Sequence, residues 1–229
     1  MDRFASLTTP HIADACLRLG LPLRIAPPGL RPVVAGHRMA GRALPVRHVG
    51  SVDVYLEALE TASPGDVLVV DNGGRTDEAC VGDLVAIEMR EAGLAGIAIW
   101  GLHRDSTEIA AIGLPVFSYG ATPPGPRRAD PRPVDALVAA SFGEFTVTAE
   151  DAVYADADGL IAVQLDRLDE VFGVAESIRD TETAQAERIG AGRSLREQVR
   201  FAEFLAARER DASLTFREHL RNVGGEIEV

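Results

Sequence analysis

The chain has 229 residues, of which 46% are hydrophobic and 25% charged, and a net charge of −12. That composition fits a soluble globular protein with one substantial core. The negative excess argues against nucleic acid as the main partner, because phosphate binding needs a basic face. No apolar stretch approaches the roughly 20 residues of a membrane span. The opening Met1-Asp2-Arg3-Phe4-Ala5-Ser6 lacks a basic segment followed by an apolar run, so a cytoplasmic protein is expected.

Thr8 to Leu19 reads as a helix, capped by Ser6, Thr8 or Thr9 and ended by Gly20. Residues 21–36 are Pro/Gly-rich and read as loop. Met39 to Val49 alternates like a strand, with Gly41 marking a close approach. Val52 to Ala62 has helical periodicity. Pro64-Gly65-Asp66 is a turn before a buried strand, Val67 to Asp71, and Asn72-Gly73-Gly74 is the loop that leaves it. Gly82-Asp83 opens a helix that Gly93 closes. Leu94 to Trp100 is a buried strand broken by Gly101. A further helix runs to Ile112 and stops at Gly113, and Pro115 to Tyr119 is a strand. The Pro/Gly/Arg loop over 120–133 is long enough to suggest function or disorder. Ala136 to Val147 and Ala152 to Val163 read as strands, with Asp156-Ala157-Asp158-Gly159 as a hairpin turn or bulge. Asp156 and Asp158 then serve as turn formers. Beyond Asp166 the chain turns helical: Val171 to Ile189, Ser194 to Arg210, and Leu214 to Leu220. The expected layout is an α/β domain over 1–165 and a helical arm over 166–229. The arm packs on that domain or on a neighbouring subunit. Its apolar positions exceed what a small sheet covers, which predicts a homo-oligomer.

Twenty residues separate Asp83 from the pair Arg104-Asp105. A helix N-terminus then lies near the loop leaving the next strand. Carboxylates, a guanidinium and free N–H groups converge there, which suits a metal ion holding a small carboxylic acid. Each residue also has a plain structural reading. Asp83 complements a helix dipole, Asp105-Ser106-Thr107-Glu108 is close to a capping box, and Arg104 pairs with a surface carboxylate. The spacing, the glycines at both turns and the loop position favour a site.

All basic side chains other than the five histidines are arginine. Imine chemistry through a side-chain amine is thereby excluded, and carbon–carbon chemistry next to a carbonyl requires a metal. Cys16 and Cys80 share no metal spacing and read as buried small hydrophobes. His11, His37, His48 and His219 have no paired-ligand spacing, and His103 points either to the motif or away. No dinucleotide fingerprint or serine elbow is present.

Gly82-Asp83-Leu84 followed by Gly101-Leu102-His103-Arg104-Asp105-Ser106-Thr107-Glu108 resembles the family of 4-hydroxy-4-methyl-2-oxoglutarate aldolase and regulator of ribonuclease activity A. Ser6-Leu7-Thr8-Thr9, Ala40-Gly41-Arg42-Ala43, Pro64 to Asp71 and Ala155 to Leu160 extend the likeness over about residues 7–195. The resemblance implies an α/β/α sandwich of the swivelling β/β/α type, assembled as a trimer or hexamer with sites between subunits. It implies a lyase dependent on Mg²⁺ or Mn²⁺ that cleaves 4-hydroxy-2-oxo acids to pyruvate and a second oxo acid. Oxaloacetate decarboxylation is the implied side activity. By position, Asp105 is the direct metal ligand and Asp83 acts through metal-bound water. Arg104 binds the substrate. Gly82 and the N–H groups of Leu84 and Val85 hold the pyruvate carboxylate, and Glu108 completes the aldolase form of the motif. Asp180 or Glu182 from a neighbouring subunit reaches the metal.

Two features depart from that pattern. Trp100-Gly101 replaces an Asp-Gly pair, and Trp100 is either core or a pocket wall. Arg127-Arg128 are the nearest cations where the family often has lysine. Two other readings therefore stand beside the lyase: a non-catalytic protein-binding regulator, and a family member with a dehydratase or hydrolase reaction.

Overall fold

The computed structural model describes residues 2–224; the last residues of the expected arm, 225–229, lie outside them. After a 3-10 turn at Asp2–Ser6 come α1 (Thr9–Arg18), β1 (Arg31–Pro32), β2 (Met39–Arg47), α2 (Asp53–Leu59) and β3 (Val67–Asp71). They are followed by β4 (Ala79–Val81), α3 (Asp83–Glu91), β5 (Gly96–Trp100), β6 (Leu102–His103), α4 (Ser106–Ile112) and β7 (Val116–Ser118). Two hairpins follow, β8 (Ala139–Phe142) with β9 (Phe145–Thr148), and β10 (Asp151–Asp156) with β11 (Gly159–Gln164). The chain closes on α5 (Leu168–Gly190), α6 (Leu195–Gln198), α7 (Phe201–Arg210) and α8 (Phe216–Val223).

Seven strands form one mixed sheet in the order β1-β7-β5-β3-β2-β10-β11. The neighbours β2, β3, β5 and β7 are parallel, and β10 joins β2 antiparallel. Alternation along the parallel strands feeds two cores. Leu68, Val70, Ile97 and Ile99 pack under α2, α3 and α4 with Tyr55, Met89 and Ile109. Val67, Val69 and Ala98 face the other way, against Phe117, Phe142, Val147 and Leu160. A third core forms where α1 and α5 cover Tyr154, Ile161 and Val163 of the last hairpin. The fold is the mixed α/β sandwich expected, with helices and a β-hairpin on opposite faces of a curled sheet and a helical C-terminal region.

Close approaches hold these layers. A Cβ on Gly41 would lie 2.3 Å from the Gly65 carbonyl oxygen, so only glycine lets β2 pass that turn. Asp156 does more than form a turn: its carboxylate accepts from Thr9 N and Thr9 Oγ1, each at 2.7 Å, and so ties α1 to the last hairpin.

Three expectations need correction. Ala136 to Val147 is not one strand but the hairpin β8–β9, because Gly143 adopts φ +69 and reverses the chain. Ser194 to Arg210 is two helices, broken where Arg200 takes a left-handed φ of 53. The first half of α5 does not lack cover: Val171, Phe172, Ala175 and Ile178 are buried against the chain's own sheet. Beyond Ile178 no residue of α5 is buried, and α6–α8 build a small cluster of their own. There Phe204 and Leu220 are buried, and Phe201 and Phe216 pack on Phe204.

Candidate functional site

The chemistry-bearing residues gather where α3 begins and where β6 runs into α4. Gly82 caps α3 in an extended conformation and Asp83 is its first residue. The leading N–H groups of a helix have no intrahelical partner, so they face the loop opposite. That loop is held close by the Arg104 N–H, which donates to the Val81 carbonyl at 3.0 Å. It delivers Asp105, whose carboxylate Oδ2 lies 3.4 Å from Asp83 N and 3.3 Å from Arg104 Nε. The spacing read from the sequence thus does bring Asp83, Arg104 and Asp105 together.

Asp105 has a left-handed backbone with φ 59 and ψ 43, one of two non-glycine residues with positive φ among the described residues. It precedes α4, yet its side chain accepts no cap hydrogen bond from that helix. The capping-box reading of Asp105-Ser106-Thr107-Glu108 therefore does not hold. Asp105 gives up its local partner and turns across to α3, at a backbone conformation that costs of order 1–3 kcal/mol. Glu108 is exposed in the first turn of α4.

Gly82 makes this approach possible. A Cβ there would lie 2.5 Å from Asp105 Oδ2 and 3.2 Å from Arg104 Nε. Gly125, in the long loop, plays the same part for the far end of Arg104, since a Cβ there would lie 3.0 Å from its NH1. The loop itself is pinned by hydrogen bonds from Ala79 N to the Pro124 carbonyl and from Asp130 N to the Val49 carbonyl. Beside this cluster a cavity of about 340 Å³ runs between α2 and α3, lined by His48, Tyr55, Cys80, Gly82, Asp83 and Arg104. Its mouth carries the exposed apolar side chains Leu56 and Leu84.

The N–H groups expected to hold a carboxylate are only partly free. Leu84 N donates to Asp83 Oδ1 at 2.8 Å, so an incoming anion has to displace that contact. Val85 N, third in the helix, has no partner within it by helix geometry.

Other candidates fall outside the cluster. His103 is buried and bonded through both nitrogens, to Ser118 Oγ at 2.6 Å and Ser106 Oγ at 2.9 Å, and burial lowers its pKa. It is a satisfied interior histidine. Trp100 does not wall the pocket. It lies on the opposite face of the sheet, against Tyr119 and Phe142, with Gly74 fitted over its ring. Within one chain, Asp180 pairs with Arg179, and Glu182 lies 3.0 Å from His11 Nε2; neither lines the pocket. Cys16 and Cys80 are buried free thiols, and burial pushes Cys80 up to about 12.

Sequence reasoning missed the polar layer behind the pocket. Arg128, one of the two cations near the position of the family's lysine, is fully engaged within the protein. Its guanidinium donates to Glu78 Oε1 (3.0 Å), Asp130 Oδ2 (2.6 Å), Asn72 Oδ1 (2.8 Å) and the His48 carbonyl (3.2 Å). Arg127 stays exposed nearby. Buried Glu78 was the one available signal, an acid flanking a strand too short to read.

Carboxylate oxygens are the donors that a hard divalent cation takes. No three His, Cys, Asp or Glu side chains of the described residues converge as a closed cage. Asp105, whose carboxylate is not used to cap α4, and Asp83 at the start of α3 are the residues that could hold an ion such as Mg²⁺, which keeps most of its waters and takes one or two protein carboxylates.

The profile of the RraA-like family, described as Aldolase/RraA, matches residues 9–162. A protein of Aromatoleum aromaticum named "Putative 4-hydroxy-4-methyl-2-oxoglutarate aldolase" is 32% identical over 149 residues, covering 65% of this chain and 92% of that protein. A Bacillus cereus protein of the same name is 31% identical over 148 residues, covering 65% and 92%. Among solved structures, an uncharacterized protein from Pseudomonas syringae superposes with a TM-score of 0.75 at 26% identity, covering 86% of this chain and 94% of that one. Streptomyces coelicolor RraAS2, described as an unusual member of the RNase ES inhibitor RraA protein family, superposes with a TM-score of 0.69 at 26% identity, covering 80% and 94%.

Proposed function

The chain belongs to the RraA-like family, and within it we propose a divalent-metal-dependent lyase that cleaves a 4-hydroxy-2-oxo acid to pyruvate and a second oxo acid. Oxaloacetate decarboxylation is the accompanying activity. The observation that carries this reading is Asp105: its carboxylate leaves its own helix and lies against the start of α3, beside Arg104. A residue kept for stability would cap α4 instead.

Asp105 and, through water, Asp83 are the residues that would hold Mg²⁺ or Mn²⁺. Bound there, the ion would supply positive charge to a 2-oxo oxygen as electrons move onto it. Arg104 adds a fixed cation at the same place, always protonated and planar enough to engage two oxygens together. The start of α3 receives the substrate carboxylate through Val85 N and, once Asp83 Oδ1 is displaced, Leu84 N. Asp83, so released, is placed to orient a water that relays a proton. Apolar Leu56 and Leu84 at the mouth limit water access once covered, which strengthens each of these interactions. A homo-oligomer, trimer or hexamer, would supply that cover and could bring Asp180 or Glu182 of a second copy to the site.

The test is pyruvate release from 4-hydroxy-4-methyl-2-oxoglutarate and from oxaloacetate, with Mg²⁺ or Mn²⁺ and with chelator. The lyase reading requires release that depends on the metal. A second reading, a protein-binding regulator, draws support from the likeness to RraAS2, of the RNase ES inhibitor family, and from the net charge of −12, which suits a basic partner. Silence toward both substrates with and without metal, together with binding to a basic protein, would favour it.

A further inference from the structure

His48 follows β2, is 3% exposed, and contributes to the wall of the cavity that Gly82 and Arg104 also line. Its protonation pattern follows from its neighbours. Asn72 Oδ1 accepts from Arg128 NH2 at 2.8 Å, and arginine can only donate, so that atom of the amide is oxygen. His48 Nδ1 lies 2.9 Å from the same oxygen and must therefore carry the proton. Flipping the amide would set its NH₂ against the Arg128 donor. Asn72 Nδ2 stays buried without a partner, a cost the network bears to keep the oxygen turned inward.

The rest of the layer fixes this arrangement. Arg128 is anchored by Glu78 and Asp130 and donates to the His48 carbonyl as well. A Cβ on Gly50 would lie 2.1 Å from the Arg128 carbonyl oxygen, so glycine is required for the loop to seat. Tyr55 stacks flat on the imidazole, with centroids 5.5 Å apart and planes 9° apart. The charged groups that face the ring are Arg128, Glu78 and Asp53, and burial, the largest influence, pushes its pKa down and so favours the neutral form. With Nδ1 protonated and the ring neutral, Nε2 holds a lone pair. Among the described residues nothing donates to Nε2, and it is not among the sealed, unpartnered atoms.

We propose that His48 Nε2 accepts a hydrogen bond from a hydroxyl group of the ligand, so that the pocket selects hydroxylated oxo acids over their deoxy counterparts. Asn72 and Arg128 are positioning residues that fix the tautomer. The substrate class named here rests on the lyase reading; the acceptor itself does not.

Two measurements test it. The first is ¹⁵N NMR of protein labelled at histidine. The expected result is one histidine with a protonated Nδ1 and a bare Nε2, missing in His48→Phe, and a mixed tautomer in Arg128→Met. Malate, which has a hydroxyl, should shift that Nε2 signal, and succinate, which has none, should not. An Nε2-protonated tautomer, or equal responses to the two acids, overturns the proposal even if no substrate is ever turned over. The second is kinetic. In His48→Phe the ratio of kcat/KM for 4-hydroxy-4-methyl-2-oxoglutarate to that for oxaloacetate should fall about tenfold, the size of one hydrogen bond. An unchanged ratio overturns it. A wild-type protein inactive on both substrates, yet with malate shifting Nε2, would refute the lyase reading alone.

Discussion

Two stretches of this chain carry almost the same sequence signal and do opposite things with it. In the C-terminal arm, Thr215 accepts from Glu218 N while Glu218 reaches back to Thr215 N at 2.8 Å, closing a capping box before α8. Ser194 and Glu197 do the same before α6. At the start of α4, Asp105 and Glu108 stand at the same spacing, and no box closes. Left-handed backbone sharpens the contrast. Arg200 shares the positive φ of Asp105, but its guanidinium is bonded to Glu203 inside its own helix at 2.7 and 2.5 Å. Asp105, by contrast, sends its charge to another element. Local rules are obeyed where a helix only has to be stable and set aside where charge is wanted elsewhere.

The comparison breaks first at Arg104. Arg104→Lys keeps the charge and loses the planar fork, so kcat/KM for pyruvate formation should fall by two to three decades, about 2–4 kcal/mol. An unchanged value would make Arg104 a surface residue. Gly82→Ala comes next. Its methyl would meet Asp105 Oδ2 and Arg104 Nε, the movable ends of side chains. Activity should drop about a hundredfold, roughly 2.7 kcal/mol, with little change in Tm. Loss of both together would mean the glycine is there for packing.

A smaller pair of effects separates the two helix starts directly. Thr215→Ala should cost about 1 kcal/mol of stability in denaturant unfolding and leave activity alone. Glu108→Ala should cost only a few tenths, because no box closes there. Equal costs would erase the distinction. The smallest effect is one of pH. Burial holds the His48 pKa below its ordinary 6.5. The unfolded chain then binds a proton that the folded chain refuses, so stability is full above that value and declines as pH falls through it. The slope of unfolding free energy below pH 6.5 should be shallower in His48→Phe.

Much of the architecture was legible because it follows from short-range pattern. Val67–Asp71 is buried at every position, and Val67 to Val70 read as an unbroken apolar run. Helix α3 announces itself by Gly82-Asp83 and by Gly93, whose φ of +80 suits no other residue as well. The hairpin β8–β9 was hidden because Gly143-Glu144 interrupts an alternation that reads equally well as a single strand. The break at Arg200 carries no signal, since arginine is an ordinary helix former. For the site, the meeting of Asp83 with Arg104-Asp105 was readable from spacing. The layer of His48, Asn72, Glu78 and Arg128 was not, because three separate segments build it and no periodicity links them.

We propose that Asp105 leaves its helix to hold a metal ion for chemistry on an oxo acid. Mn²⁺ binding and metal-stimulated pyruvate release from oxaloacetate, measured side by side in the wild type and in folded Asp105→Ala, test it most directly. The expected result is that the substitution removes both. A folded Asp105→Ala that binds Mn²⁺ as the wild type does, or that releases pyruvate at the full metal-dependent rate, would contradict it.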